Sequence, residues 1–446
     1  MKEKMKNVTR RDFVRQAAFT TTSFLIASPH VLGRENSTPP SDKLNIAAVG
    51  VGGRAEENLK KMATENYAAF CDVDDHRAAK SYERYEVQNK YKDYRVMLDK
   101  HNDIDAVLIS TPDHTHAVVA MNAIQRGKHV YVEKPLAHSI HEVRALMKAA
   151  QETKVQTQLG NQGHSYDDIR KLCEWIWDDA IGEVKEVQAW YTRPYGDGKP
   201  RPTETPPVPE TLEWDLWLGP AAYRPYHRSY APGSWRSWFD FGTGVLGDWV
   251  CHILDPAFWA LKLNAPTRIT AQNGEGEYSP ERFPLQSSIQ YDFPAREGMP
   301  PVTVKWTYGK PMDIPQMKEI ELDDWNTTAG AILIGEKGCI VHGSHGAGNP
   351  RILPQSRADE YRKPPETIPR VKGDHQQDWV RACKEGKPAG SNFNYGGPLT
   401  ELALLGVIAT VLDKETLEWD SLNVKFKNIE KANRLLRSPY REGWSL

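Results

Sequence analysis

Cysteine is scarce in this chain. Five residues in 446 (Cys71, Cys173, Cys251, Cys339 and Cys383) are widely spaced and sit mostly within apolar patterns. An odd count at such spacing outlines no disulfide framework, and the lack of any CxxC pair argues against a structural zinc site built from thiolates. An oxidising compartment would permit one bridge, which the sequence does not choose. An excess of either charge is also missing: 57 Lys and Arg face 59 Asp and Glu, for a formal net charge of -2. No long run of one sign follows the N-terminal stretch, so nothing points to nucleic acid or an acidic polymer, and a small neutral substrate suits the balance. No apolar run reaches the roughly 20 residues of a membrane-spanning helix, so no stable membrane span is expected. Internal repeats are absent too.

Thr9-Arg10-Arg11-Asp12-Phe13 is a twin-arginine signature, followed by a moderately apolar, Thr-rich stretch over 17–27 and then Ser28-Pro29-His30. Residues 1–33 therefore read as an export leader, the alternative being a frayed basic helix. Twin-arginine signals address proteins transported after folding, so a periplasmic or otherwise exported location is expected, with a cofactor loaded beforehand.

A length of 446 residues calls for two domains. In the first, residues 44–49 form an apolar strand leading into Gly50-Val51-Gly52-Gly53-Arg54-Ala55. Gly50 suits the tight turn, Gly52 a close approach of backbone to phosphate, and Ala55 the close packing of helix on strand, the layout that holds a dinucleotide pyrophosphate. The unpaired N–H groups of the helix start would face the anion. A second apolar run, 67–71, ends at Asp72, at the offset of an acid that accepts hydrogen bonds from the adenosine ribose. That carboxylate favours NAD; NADP is second, since Arg54 and Arg77 are the only evident basic neighbours for a 2′-phosphate. Strands at 105–110, 129–132 and 155–159 alternate with helices at 114–126 and 139–153, predicting a doubly wound parallel sheet over 43–160. The remainder, 161–446, reads as an α+β domain with a large, mainly antiparallel open sheet. Its strands are expected at 184–191, 268–273, 285–291, 302–306 and 331–340, and its helices at 373–385 and 399–412. The Pro-rich insert 194–209 and the polar segment 350–369 read as loops.

Ligands of doubly wound sheets bind beyond the carboxyl ends of the strands. Thr111, Pro112 and His114 follow one strand there, and Glu133 and Lys134 another, so these join Gly50, Gly52, Gly53, Arg54 and Asp72 as cofactor-facing candidates. Lys134 would point to where a nicotinamide ring lies and could hold a substrate hydroxyl. Asp248 and His252, four apart on a helix, share one face; a carboxylate beside an imidazole would orient it and raise its basicity, as a general base requires. The pair could instead bind metal with His164 as third ligand, or be a capping Asp and a core His; no metal is assigned. His164, Tyr191 and Trp235 complete the candidate substrate wall with Lys134, Asp248 and His252. Trp238, Phe239 and Trp306 could also stack on sugar faces, though each by itself reads as core.

Taken in order, the Gly50 turn, Asp72, the run 110–116, Glu133-Lys134-Pro135 and the Asp248/His252 helix resemble the glucose-fructose oxidoreductase, inositol dehydrogenase and rhizopine catabolism family of NAD(P)-dependent enzymes. The resemblance implies that Lys134 and His252 act at a sugar or cyclitol hydroxyl with Asp248 assisting, and that the C-terminal sheet mediates homo-oligomers. With the leader, Asn161-Gln162-Gly163-His164 and 214–220 are similar to an exported bacterial subgroup. Some of its relatives oxidise glycosides at C3, and others, the α-N-acetylgalactosaminidases, use bound NAD in a glycosidase cycle. Three readings follow: an oxidoreductase on a sugar or glycoside hydroxyl with a tightly held, internally recycled cofactor; an NAD-assisted glycosidase; and a non-catalytic sugar-binding protein.

Overall fold

Short runs of apolar residues, buried on both faces, build the first sheet. A computed structural model describes residues 42–276, 279–311, 314–315 and 328–446; the predicted leader lies outside them. β1 (Asn45–Val49) leads to α1 (Ala55–Lys61), β2 (Asn66–Cys71), α2 (Asp75–Tyr85), β3 (Lys90–Tyr91), α3 (Tyr94–Lys100), β4 (Ala106–Ile109), α4 (Asp113–Gln125), β5 (His129–Val132), α5 (Ile140–Thr153) and β6 (Thr157–Leu159). The strands pair in parallel in the order β3-β2-β1-β4-β5-β6. All four residues of β4 are buried, as a strand covered by helices on both faces requires. Helix starts follow local chemistry. Ser139 and Glu142 form a reciprocal capping box on α5, and the Asp74 side chain accepts from the His76 N–H at the start of α2.

Beyond α6 (Asp167–Trp177), the long strand β7 (Val184–Tyr191) enters a second sheet. The insert 194–209 carries no helix or strand. It precedes α7 (Trp214–Leu218), α8 (Gly244–Ile253), α9 (Asp255–Ala260), β8 (Arg268–Asn273), β9 (Ser287–Phe293) and β10 (Val302–Tyr308). β11 (Ala329–Gly335), β12 (Cys339–Gly343), β13 (Arg351–Leu353), α10 (Gln355–Glu360), α11 (His375–Glu385), α12 (Phe393–Val411), β14 (Thr416–Asp420), β15 (Lys425–Phe426) and α13 (Glu430–Asn433) complete the order. The nine strands run β13-β12-β11-β7-β10-β9-β8-β14-β15, antiparallel except where β10 meets β7. The reading of a mainly antiparallel sheet beside a parallel doubly wound one agrees with this architecture. Two details differ. The run expected as one strand over 331–340 is a hairpin, β11 and β12, because Gly335 and Gly338 turn the chain between two apolar stretches. The segment 350–369, expected as a loop, contributes β13 and α10.

Late segments finish the first sheet. The free edge of β6 is occupied by residues just before α12: the Leu159 N–H donates to the Ser391 carbonyl at 2.8 Å, and the Phe393 N–H donates to Thr157 Oγ1 at 2.9 Å. Such cover blunts an edge that would otherwise pair with another chain. Trp379 and Val380 of α11 are buried among Ile46, Phe70, Leu108 and Tyr131, so one core layer mixes residues from both ends of the sequence. The other layer is continuous with the helices α8 and α12 and the inner face of the nine-stranded sheet.

Candidate active site

A cavity of about 460 Å³ opens at the carboxyl ends of β1, β4 and β5, within the size range of small-molecule sites. Its floor is the glycine turn. Gly50 has φ +76°, and a Cβ there would stand 2.9 Å from the Ser110 carbonyl group; a Cβ on Gly52 would stand 2.7 Å from the Arg77 carbonyl oxygen. Bare backbone therefore forms the cradle, which fits a dinucleotide phosphate. We expect Gly50→Ala, with a side chain forced into left-handed backbone and against Ser110, to weaken NADH binding at least tenfold by fluorescence titration (about 1–2 kcal/mol of strain). Unchanged affinity would remove the turn from the nucleotide site.

Asp72 lines the cavity and also fastens the turn. Its Oδ2 accepts from the Val51 and Gly52 N–H groups (2.8 and 3.3 Å) and its Oδ1 from the Asp74 N–H (3.0 Å). Burial raises this carboxyl's pKa, and the three backbone bonds only partly offset that. A carboxylate has about four lone-pair sites, so acceptor capacity remains for a ribose. Arg54, Thr111, Pro112, Glu133 and Lys134 line the same cavity. Gly53 follows in the turn with φ +61°, its Cβ position 3.0 Å from the Arg77 guanidinium. Glu133 is buried and committed, accepting from Asn58 Nδ2 at 2.8 Å and Arg54 Nε at 3.2 Å.

At the end of β5, Lys134 reaches α8. Its Nζ donates to Asp248 Oδ1 and to the Asp248 carbonyl, the latter at 3.3 Å. The Tyr195 hydroxyl donates to Asp248 Oδ2 and accepts from Trp249 Nε1 at 2.7 Å. Arg236 Nε lies 3.1 Å from Asp248 Oδ1. The Lys134 and Asp248 side chains are 12% and 13% exposed, so this ion pair is not the solvent-screened kind that contributes little. Burial alone would raise the Asp248 carboxyl, and Lys134 and Arg236, with the Tyr195 hydroxyl, override it and hold the group well below the usual carboxylate range.

His252 requires a correction. It shares the helix with Asp248 as the spacing predicts, yet no hydrogen bond joins them, because the carboxylate is claimed by Lys134, Tyr195 and Arg236. The ring is buried, its Nδ1 has no partner, and it stacks on His345 with centroids 4.2 Å apart. Burial, then Lys134 and His345, push its pKa well below the ordinary value, opposite to the expected rise in basicity. The imidazole is therefore neutral.

Asp248 and His252 are not on the cavity wall themselves, and three other assignments also lie away from it. His114 is buried with its ring nitrogens against the Phe241 and Trp217 carbonyls (3.2 and 3.0 Å); burial lowers its pKa to about 3, so it ties α4 to the second half of the chain. His164 Nδ1 faces Asp255 at 3.1 Å in a buried network with Asn161 and Tyr395, its ring stacked on Trp259. Tyr191 stacks on Trp249 at 4.1 Å and so stands behind Tyr195 and Asp248. Trp235 does line the cavity, while Trp238 and Trp306 are core. Among the described residues no cluster of His, Cys, Asp and Glu has the makings of a metal site. Tyr195, Arg236 and His345 were not legible as site residues: the first lies in the Pro-rich insert, the second between two tryptophans, the third in a glycine-rich turn. For Arg236 alone there was a signal, a cation inside an aromatic run.

Two family models match the chain. One is described as an oxidoreductase family, NAD-binding Rossmann fold, and covers residues 44–161; the other is that family's C-terminal alpha/beta domain, over residues 181–278. The chain belongs to this glucose-fructose oxidoreductase, inositol dehydrogenase and rhizopine catabolism family and carries its NAD-binding fold. Among curated proteins, it is 27% identical over 215 residues to a glycosyl hydrolase family 109 protein of Shewanella sp. (strain ANA-3), covering 42% of this chain and 46% of the relative. It is 26% identical over 180 residues to a levoglucosan dehydrogenase of Pseudarthrobacter phenanthrenivorans, covering 40% and 38% of the two chains. The matched stretches thus span less than half the length of these relatives. A solved structure of levoglucosan dehydrogenase in complex with NADH and L-sorbose shares the fold, with a TM-score of 0.57 at 17% identity, covering 86% of this chain and all of that one.

Proposed function

We propose that this protein is an exported NAD-dependent oxidoreductase acting on a ring hydroxyl of a sugar or glycoside, C3 being a candidate position. The observation that carries this reading is Lys134, held by Asp248 at the end of β5 and facing the cavity whose floor is the glycine turn. When bound, the nicotinamide supplies the acceptor for a hydride from the carbinol carbon. Lys134 has a third N–H beyond the two it gives to Asp248, and this one holds the substrate oxygen. As the C–H bond breaks, the hydroxyl proton passes to the protein, and the imidazole of His252, one helical turn from Asp248 on α8, is the acceptor we assign. Asp248 fixes the Lys134 ammonium in place, and Tyr195 and Trp249 fix Asp248. The twin-arginine signature motivates export and, since free NAD is scarce outside the cytoplasm, a cofactor retained and reset in place.

Likeness to a glycosyl hydrolase family 109 protein supports a second reading. Oxidation at C3 acidifies the C2 proton, elimination expels the aglycone, and return of the hydride after water addition leaves net hydrolysis. Purified protein incubated with aryl glycosides separates the two. A keto-glycoside with reduced nicotinamide absorbance supports the oxidoreductase, whereas aryl release without an added acceptor supports the glycosidase. Denatured protein is expected to release stoichiometric nucleotide, and a supernatant free of it would count against retention.

A further inference from the structure

Arg236 has five N–H donors and, beyond its ion pair with Asp248, none of them is hydrogen-bonded among the described residues. Its Nε is close to Asp248 Oδ1 but out of line for a hydrogen bond and is otherwise unpartnered. The guanidinium lies over the Trp235 ring, 4.2 Å from its centroid, and lines the cavity. An arginine fork so placed is preorganised for a planar oxyanion, since the cation–π contact fixes the plane while leaving the donor edge free.

Position within the cavity says which oxyanion. Asp248 Oδ1 is shared between Arg236 and Lys134, so the guanidinium is at the β5 end. The glycine turn follows β1, two strands away in the order β1-β4-β5, roughly 10 Å across the sheet at the usual strand spacing. Arg236 thus sits at the Lys134 end of the cavity and away from the glycine turn. Of the carboxylates that act on the guanidinium, Asp248 is shared with Lys134, Glu133 is paired with Arg54 and Asp113 accepts from the Thr243 hydroxyl, so a monoanion meets less repulsion here than a phosphate ester would.

We propose that Arg236 is a specificity-determining residue that receives the carboxylate of a sugar acid, so that the substrate is a uronic or aldonic acid or a glycoside of one. This rests on the sugar-oxidoreductase reading for its chemistry but is tested by binding. Calorimetric titration of the NADH-loaded protein with glucuronate, galacturonate, glucose and glucose 6-phosphate should give at least roughly 100-fold tighter binding of a uronate than of glucose, as expected for a desolvated charge-assisted pair. Arg236→Gln should abolish that preference, Arg236→Lys should keep only part of it, and NADH affinity should be unchanged in both. Equal binding of uronate and glucose by the wild-type protein overturns the proposal whatever the variants do, as does preference for the phosphate ester. Loss of NADH affinity in Arg236→Gln with the uronate preference intact would assign the guanidinium to the cofactor instead. Arg236-dependent uronate binding with no hydride transfer from any sugar would sink the oxidoreductase reading and leave this inference standing. Turnover of neutral sugars alone would do the reverse.

Discussion

Lys134→Met should lower hydride transfer by roughly 10³-fold while leaving NADH affinity within a factor of three. The magnitude follows from deleting one preorganised charged donor at a developing oxyanion in a water-poor site. The direction of the stability change is also fixed. Methionine keeps the apolar stem, and Asp248 retains Arg236 and the Tyr195 hydroxyl, so the carboxylate is not stranded. Asp248→Ala should be worse for folding, because it leaves two half-buried cations facing each other; breaking such a pair from one side typically costs about 3–5 kcal/mol. Single-turnover nicotinamide spectra and denaturant midpoints measure the two effects separately. A Lys134→Met protein that oxidises its substrate at the wild-type rate would remove the lysine from the chemistry, whatever its stability.

Mild acid should destabilise the protein steeply. His114, His252, His342 and His375 are all buried, and burial depresses each ring's pKa: to about 3 for His114, to about 4 for His342 and His375, and well below its ordinary value for His252. In the unfolded chain these rings take up protons near pH 6.5, while in the folded chain they stay neutral. The unfolded state then binds more protons, so stability is fully present above pH 6.5 and falls as the pH drops toward the folded values. Each ring contributes up to about 1.4 kcal/mol per pH unit. Between pH 6.5 and 5 the four together would remove several kcal/mol, comparable to the whole stability of many domains. Thermal midpoints measured across this range should fall with a slope of several protons per molecule. A flat profile down to pH 5 would mean that these rings are solvated or already charged in the native state.

What the sequence made legible follows from how local each signal is. The turn at Gly50, the strand ends at Ser110 and Val132, and the helix carrying Asp248 and His252 are written in short apolar periods and punctuating glycines, and all stand where those patterns place them. The hairpin of β11 and β12 was hidden because two strands of similar composition are joined by a turn of only a few residues. Tyr195 is invisible to periodicity, since it approaches Asp248 from an insert with none. The relation between Asp248 and His252 departs from helical spacing for a different reason. Helical spacing says which residues share a face, but not which of several neighbours wins a carboxylate, and Lys134, 114 positions away in sequence, is the stronger partner. His114 and His164 have ligand-like chemistry that backbone carbonyls and Asp255 consume internally, an outcome set by long-range packing.

The burial of Trp379 beneath the cofactor sheet bears on how this chain is made. Ribosomal synthesis releases β1 to β6 long before α11 emerges, so for most of translation the nascent sheet has a hole where an indole belongs and an uncovered strand along β6. A chaperone, or simply delay, must guard that surface until about nine-tenths of the chain exists. A chain cut short by even its last seventy residues would present apolar surface where Trp379 and Val380 now cover the sheet.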